Sequence, residues 1–328
     1  MPNKYTIEEC IVGEDWDKIH STRSTSKNIF LSSTLINSLD VPIYSFYICK
    51  GNEKLASFVA PMNRDKNRII SHDFFIYNGI THFSCNNQNK SQILSMNLSV
   101  QEELAKYLDF RFDEVIFSTH PSIKDIRSFL WHNYNTNCRK FEVEMRFTSY
   151  IHLDDEPESF RDLKENKLFR NCSSARKQEI RYSQRKGVTT EMTTEISSFV
   201  DLYRKTFERQ NISVGEEKLI ELKEFLESLN RAGLLLIFNS YSEDGNLGSI
   251  AIFLVQHDQA CYLYGASDPE QRGSHTGTAV LWEAFEELTR RNVEVVDLEG
   301  INSPKRGWFK TSFGGTIERY FSLALNNK

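Results

Sequence analysis

The chain has 328 residues, of which 39% are hydrophobic and 26% are charged, and its net charge is -5 at pH 7. This length allows two domains, and the composition is that of an ordinary globular protein. A mildly acidic chain is not a general nucleic-acid coat, so we expect no contact with DNA and only local contacts with other polyanions. The sequence shows no secretory pattern and no run of eighteen apolar residues, which predicts a cytoplasmic protein without a membrane span.

The six cysteines are scattered along the chain, with no CxxC pair and no histidine at zinc-ligand spacing. This distribution favours reduced thiols over a disulfide framework, and it predicts no metal site. The cysteines are Cys10, Cys49, Cys85, Cys138, Cys172 and Cys261.

The first half of the chain predicts short strands separated by polar turns. The stretch "YICKGNEKLASFVA" places two apolar runs around a Gly-Asn turn, which is typical of a β-hairpin. Residues 91–110 have helical spacing of leucines, from Leu94 to Leu108, and precede the strand-like "EVIFST". At "RFTSYIHLDDEPESF" we expect a strand followed by a helix start marked by acidic residues and proline. We therefore place a domain boundary there, which gives domains of residues 1–147 and 148–328.

The second half predicts helices over residues 158–186, 195–210 and 216–231. Three strands, a long helix and two more strands follow, and no βαβ repeat or Rossmann fingerprint is present. The order predicts an α+β fold.

One long stretch of this half, "YLYGASDPEQRGSHTGTAVLWEAFEELTRRNVEVVDLEGINSPKRGWFKTSFGG", carries a family pattern. It resembles the C-terminal half of the Fem family of peptidoglycan aminoacyltransferases and their FemAB-like acyltransferase relatives. The shared features are a strand with G-A, a helix with a central Trp, a D-L-x-G strand end, and G-x-x-F-K followed by F-G-G. The resemblance covers about residues 148 to 320. In the first half only "FFIYNGI" is similar to the family, with Asn78 in place of a glycine.

The resemblance implies two tandem GNAT-like domains, each a mixed, mainly antiparallel sheet flanked by helices, with a cleft between them. On this resemblance we expect the C-terminal residues from about 316 to complete the sheet of the first domain. The resemblance also implies direct attack of an amine on an activated acyl carbonyl, without a metal, a covalent enzyme intermediate or a tightly bound cofactor. We expect the acyl donor to be aminoacyl-tRNA or acyl-CoA. We expect the acceptor to be a small molecule or a nucleotide-linked sugar or peptide of the cell envelope, from peptidoglycan or surface polysaccharide synthesis.

Lys310 corresponds to the lysine of the family's F-K pair and is our candidate for stabilising the oxyanion of acyl transfer. We expect Trp308 and Phe309 to hold it, and Gly314 to let the backbone approach the donor closely. The alternative is that the aromatic residues belong to the core, the glycines form a turn, and Lys310 is a solvated surface charge.

The strand end "DLEG" places Asp297 and Glu299 on one face by the two-residue period. Either carboxylate is a candidate base for the proton of the attacking amine, and Asp297 is the better one. The alternative is a carboxylate that binds loop amides or pairs with Lys305 or Arg306.

A basic segment at residues 161–187 contains nine Lys or Arg residues against three acidic ones. Such a stripe is suited to phosphate groups, and Arg181 is its representative in our candidate site. We rank Arg209 above it, because the resemblance places an arginine there near the acceptor's phosphates. Tyr77 and Tyr264 are expected to line the cleft.

Two alternatives to aminoacyl transfer remain open at this point. The first is acyl-CoA-dependent acylation of a nucleotide-linked amino sugar, although Gly273 and Gly277 differ in spacing from the usual Q/R-x-x-G-x-G/A loop. The second is a non-catalytic protein that binds a nucleotide sugar or a partner. No helical arm of the kind that engages tRNA in long Fem enzymes is present, so tRNA is only a possible partner, and the oligomeric state is open.

Overall fold

The computed structural model describes residues 5–85, 88–157, 160–208 and 214–326. The chain divides into two compact units, one of Met1–Arg146 with Arg319–Lys328 and the other of Phe147–Glu318.

The first unit contains a sheet in the order β1-β2-β3-β5, in which each neighbouring pair is antiparallel. Its elements before residue 132 are β1 (Thr6–Glu9), α1 (Glu14–Arg23), α2 (Ser33–Ile36), β2 (Ile43–Lys50), β3 (Glu53–Pro61), β4 (Arg68–Ile69), β5 (Gly79–His82), α3 (Lys90–Arg111), β6 (Glu114–Ser118) and α4 (Arg127–Trp131).

The predicted hairpin is formed by β2 and β3. Lys50 pairs with Glu53 across the turn, and Gly51 adopts the left-handed conformation (φ +58°) that such a turn needs. The prediction from "YICKGNEKLASFVA" is therefore confirmed.

Helix α3 begins at a capping box, in which Asn89 accepts from the Gln92 amide and the Gln92 side chain accepts from the Asn89 amide. Leu104 and Leu108 on its predicted apolar face are fully buried, whereas Leu94 in the first turns is 54% exposed. The leucine spacing thus located the helix correctly, but its N-terminal turn is exposed and its later turns are buried.

Asn78, the departure from the family's glycine, is buried in a turn that precedes β5. The backbone amide of Asn78 donates to the Ser118 carbonyl, and the side-chain oxygen of Asn78 accepts from the Ser118 backbone amide, both at 2.9 Å. A Cβ on the following Gly79 (φ +81°) would overlap the Phe117 ring. The turn is therefore fixed to the end of β6 by one backbone hydrogen bond, one side-chain hydrogen bond and close packing.

The second unit contains strands in the order β7-β12-β11-β10-β9-β8, antiparallel except for β11 and β12, which are parallel. The elements are β7 (Glu142–His152, which belongs to this unit from Phe147 onward), α5 (Lys167–Asn171), α6 (Ser174–Arg185), β8 (Thr189–Thr193), α7 (Ser197–Glu208), α8 (Glu216–Arg231), β9 (Leu235–Tyr241), β10 (Leu247–Gln256), β11 (Gln259–Ser267), α9 (Thr276–Arg290), β12 (Val295–Asp297) and α10 (Pro304–Thr311). The last strand of the chain, β13 (Thr316–Leu325), pairs through residues 322–325 with residues 115–118 of β6.

The helical pattern predicted over residues 158–186 is wrong for residues 160–166, because the first helix begins at Lys167. No helix follows β7 over residues 153–157 or 160–166, and residues 158 and 159 lie outside the described part of the chain. The helical part is two helices, because α5 ends at Asn171 and Ser173 caps the start of α6 by accepting from the Arg176 amide. In contrast, α8 has the predicted bounds, and α7 lies within the predicted range of 195–210.

Helix α9 packs its apolar face into the core of the second unit. Trp282 at its centre is 1% exposed, and its ring centre lies 4.9 Å from that of Phe160. Trp282 is therefore a core residue.

Candidate active site

Strands β11 and β12 separate at their carboxyl ends. They pair in parallel only at Gln259 with Val295, Ala260 with Val296 and Cys261 with Asp297, and β11 then continues to Ser267. The crevice at the carboxyl ends of parallel strands is a common ligand site. We use the name notch for the region between the part of β11 after Cys261 and the chain that follows Asp297, the last residue of β12.

A β-bulge reshapes β11 beside the notch. Opposite β10, Phe253 pairs with Tyr262 and Ile252 with Tyr264, so that Leu263 is the extra residue. Bulges of this kind occur often next to active sites, because they redirect side chains and interrupt regular pairing.

Lys310 in α10 directs its ammonium into the notch. Its Nζ donates a 2.5 Å hydrogen bond to the Glu299 carbonyl and lies 5.1 Å from the ring centre of Tyr262. Burial lowers the pKa of Lys310, while the nearby Glu299 carboxylate opposes this shift. The predicted lysine is thus a partly buried group with an acidic neighbour.

Glu299 lies just beyond the end of β12. Its backbone is in the left-handed region (φ +42°), so the chain turns here and the strand's two-residue period stops at Asp297. The prediction that Asp297 and Glu299 share a strand face is therefore wrong. Burial raises the pKa of Glu299, and the charge of Asp297 adds to this effect while Lys310 opposes it.

Asp297 has a different environment from Glu299. It is 8% exposed, and its Oδ1 accepts from the Thr148 hydroxyl and, at 2.7 Å, from the Glu299 amide. The carboxylate thereby fixes the turn that carries Glu299. This is the loop-binding role that the sequence left open, and here it falls on Asp297.

Of the two aromatic residues beside Lys310, only Phe309 packs inward. It lies against the core of the second unit, whereas Trp308 is 78% exposed. The expectation that Trp308 holds Lys310 is therefore wrong, because residues two positions apart lie on nearly opposite faces of a helix.

The glycines around α10 are explained by contacts inside the protein. A Cβ on Gly314 (φ +85°) would lie 2.6 Å from the carbonyl oxygen of Asn171, and one on Gly307 would lie 2.6 Å from that of Ile301. Close packing of backbone on backbone accounts for both positions without a bound donor.

Arg176 belongs to the basic segment, but the sequence did not distinguish it from its neighbours. It is 6% exposed, and its guanidinium donates to Ser312, Thr278 and Glu179. Its spacing in the sequence could have indicated that it is buried. Arg176 lies four residues after Cys172 and four before Ile180, which places it on the apolar face of the helical pattern.

The remaining predicted residues have other surroundings where the structure describes them. Arg181 is exposed on α6, with its guanidinium 5.1 Å from the Phe169 ring centre. Tyr264 on β11 packs against Phe199 and Tyr203, while Tyr77 is 1% exposed and packs within the first unit against Phe30, His120 and Tyr320. Arg209 lies outside the described residues.

Two other properties bear on the chemistry of the protein. Among residues 5–85, 88–157, 160–208 and 214–326, no group of three or more His, Cys, Asp or Glu residues is arranged to hold a metal ion. Within the same residues, no helix combines the length and hydropathy that a membrane crossing requires.

Comparisons with known proteins place this geometry in context. Residues 170–309 match the family model of the acetyltransferase (GNAT) domain, and no curated protein sequence matches the chain. The fold is similar to that of FemX, with a TM-score of 0.63 and 12% sequence identity over 97% of this chain and 96% of that one.

Two further solved structures share the fold along almost their whole length. The C-terminal domain of a putative lysylphosphatidylglycerol synthetase from Agrobacterium fabrum has a TM-score of 0.54 and 11% identity, over 97% of this chain and 93% of that one. A tandem GNAT protein from the clavulanic acid biosynthesis pathway has a TM-score of 0.52 and 10% identity, over 98% of both chains.

These findings confirm the predicted fold class, mainly antiparallel sheets with flanking helices in a GNAT-type arrangement. The matched range contains β11, α9, β12 and most of α10, and therefore the notch with Glu299. Residues 170–309 thus match a GNAT-type acetyltransferase domain, and the fold is similar to that of FemX and of a tandem GNAT protein.

Proposed function

We propose that this chain is a cytoplasmic acyltransferase that moves an activated acyl group onto an amine in the notch. The observation that carries the proposal is the burial of Lys310 against Glu299 where β11 and β12 separate. Buried, oppositely charged groups with shifted pKa values are typical of functional sites.

In this mechanism Lys310 stabilises the oxyanion that forms when the amine attacks the acyl carbonyl. Collapse of this intermediate breaks the bond to the donor, and the leaving group departs as the tRNA hydroxyl or the CoA thiol after it takes up a proton. An ammonium has three N–H donors, and the Glu299 carbonyl accepts from one of them. The site has low exposure, so little water screens the attraction between the Lys310 ammonium and the oxyanion.

Glu299 is the base that removes the proton from the attacking amine. Burial raises the pKa of Glu299 towards neutral pH. A general base is most effective when its pKa lies near the pH at which the enzyme works. This role moves from Asp297, our first choice from the sequence, because the Asp297 carboxylate already accepts from Thr148 and from the Glu299 amide.

We further propose that the acceptor is an amine of a cell-envelope precursor and that the donor is aminoacyl-tRNA. The resemblance to the Fem family supports this choice, and so does the similarity of fold to FemX. A peptidoglycan precursor is the first acceptor to test.

The second candidate donor is acyl-CoA, with a nucleotide-linked amino sugar as acceptor. Helix α9 begins directly after the turn that follows β11, and a Cβ on Gly277 in its first turn would only reach ordinary contact distance, 3.5 Å from Ser249 Oγ. Packing within the protein therefore does not require glycine there. A ligand that approaches the amides of the helix N-terminus would require it.

The test is binding followed by transfer. Thermal shifts with acetyl-CoA, with aminoacyl-tRNA and with UDP-linked precursors identify the ligand, since a ligand of the folded state raises the melting temperature. Transfer is then followed by mass spectrometry for the wild type and for Lys310→Met, with Lys305→Met as an exposed control on the same helix.

We expect Lys310→Met to lose about 10²–10³-fold in rate, as removal of an oxyanion donor does, and Lys305→Met to retain activity. A Lys310→Met protein with the wild-type rate would contradict the assignment. If a UDP-linked compound binds and no donor is ever consumed, the chain is a binding protein and not an enzyme.

A further inference from the structure

Arg176 is a buried cation at a junction of three helices. It lies on α6 and is 6% exposed, and its Nε donates to Ser312 Oγ at 2.9 Å. Its other hydrogen bonds are to the Thr278 hydroxyl, in the first turn of α9, and to Glu179. Burial lowers the pKa of Arg176, which the Glu179 carboxylate opposes.

The flat guanidinium also contacts two aromatic rings of the α10 region. Its carbon lies 4.4 Å from the ring centre of Phe309 and 4.6 Å from that of Phe313. These distances are within the range of cation–π interaction. Arg176 thus contacts the residue directly before Lys310 and, through Ser312, the residue that ends α10.

The backbone around Arg176 binds the same end of α10. The Ser173 amide donates to the Ser312 carbonyl at 2.9 Å, and the Cys172 thiol donates to the Phe313 carbonyl at 3.5 Å. The end of α10 is therefore bound by backbone, hydroxyl and ring contacts from the α5–α6 junction. Lys310 lies two residues before that end.

We infer that Arg176 is a positioning residue, which holds α10 so that the Lys310 ammonium stays against Glu299 and Tyr262 in the notch. The role of Lys310 in catalysis rests on the proposed function, but the positioning itself does not. A buried arginine is costly unless every donor has a suitable acceptor. A lysine lacks the planar fork that bonds to three acceptors and stacks on two rings.

The position of Lys310 is read from the titration of its amine. The charged and titratable groups that act on it are Glu299, Asp297, Cys261 and Arg306, and burial lowers its pKa. A shift of α10 that exposes Lys310 to water would raise that pKa towards its ordinary value.

The experiment is competitive labelling of lysines with acetic anhydride across a range of pH, with each site measured by peptide mass spectrometry. The variants are Arg176→Met and Arg176→Lys, and the matched control is Arg181→Met, an exposed arginine of the same helix. We expect the titration midpoint of Lys310 to move upward in Arg176→Met, to recover only in part in Arg176→Lys, and to stay unchanged in Arg181→Met. Lys305 on α10 is the internal reference for reagent and pH.

A second variant keeps the test decisive if Arg176→Met does not fold. Ser312→Ala removes the contact with Nε and the hydrogen bond that Ser312 Oγ donates to the Phe309 carbonyl, but it keeps the other contacts of Arg176. We expect it to shift the Lys310 midpoint in the same direction by less. An unchanged midpoint in a folded Arg176→Met protein, or in Ser312→Ala if Arg176→Met is unfolded, overturns the inference. The labelling needs no substrate. If the Lys310 midpoint shifts in Arg176→Met but Lys310→Met transfers the acyl group at the wild-type rate, only the proposed function is contradicted.

Discussion

Replacing Gly314 by alanine tests whether the glycines after α10 serve packing inside the protein. Alanine at this position must adopt φ +85°, and its Cβ would lie 2.6 Å from the carbonyl oxygen of Asn171. The left-handed backbone costs about 1–2 kcal/mol for an L-residue, and relief of such an overlap costs about 1–3 kcal/mol. We expect Gly314→Ala to lower the free energy of unfolding by about 2–5 kcal/mol.

Two glycines of the same unit separate the two contributions. Gly245 has φ +76° with nothing within 4 Å of a Cβ, so Gly245→Ala measures the backbone term alone, about 1–2 kcal/mol. Gly273 has neither a positive φ nor a neighbour within 4 Å, and its substitution is expected to be close to neutral. Urea unfolding followed by circular dichroism gives the three values. If Gly314→Ala is no more destabilising than Gly245→Ala, the packing explanation fails.

The remaining predictions concern buried titratable groups of the chain. Burial raises the pKa of Glu283 to about 7, and the adjacent Glu286 adds to this effect. The folded state therefore keeps a proton that the unfolded state loses near pH 4.5, and the free energy of unfolding falls by up to about 3 kcal/mol between pH 4.5 and 7. The free energy of unfolding, measured with urea, should depend less on pH in Glu283→Gln than in the wild type, whereas Glu287→Gln should behave like the wild type. Equal slopes in Glu283→Gln and the wild type would exclude the Glu283 carboxyl as the cause. Cys261 is fully buried with a pKa well above the usual value, while Cys138 is exposed. Ellman's reagent should therefore modify Cys138 in the native protein and Cys261 only after unfolding, and fast native modification of Cys261 would show that the notch opens.

The parts of the fold that depend on local sequence were predictable. The hairpin around Gly51, the bounds of α8 and the order from β9 to β12 follow from turn residues and periodicity, which are properties of neighbouring residues. Strand β8 and helix α10 were not predicted. The grouping of Lys310 with Glu299 was likewise available from the motif that both residues belong to.

What the sequence could not provide depends on tertiary contacts. The helical pattern of residues 158–186 does not reveal that Ser173 divides it, because serine caps helices only where the chain bends away. Nor does a two-residue period show where a strand ends, so Glu299 was placed on the face of Asp297. Arg176 looked like one surface charge among nine, since its acceptors on α9 and α10 come from distant parts of the chain.

The division of roles between Asp297 and Glu299 illustrates the same limit. Both are acidic residues of one short motif, and only their partners distinguish them. Asp297 accepts from Thr148 and from the Glu299 amide, whereas Glu299 faces Lys310. The proposal that Glu299 is the general base therefore depends on these contacts and not on the motif.

The most direct test of the proposed site is a crystal structure of the complex with the donor that stabilises the protein most. The account predicts that the acyl group lies in the notch, with its carbonyl oxygen about 3 Å from Lys310 Nζ and the side of the carbonyl carbon nearest Glu299 open to an amine. A donor bound elsewhere, with Lys310 still bonded only to the Glu299 carbonyl and remote from the acyl group, would contradict it.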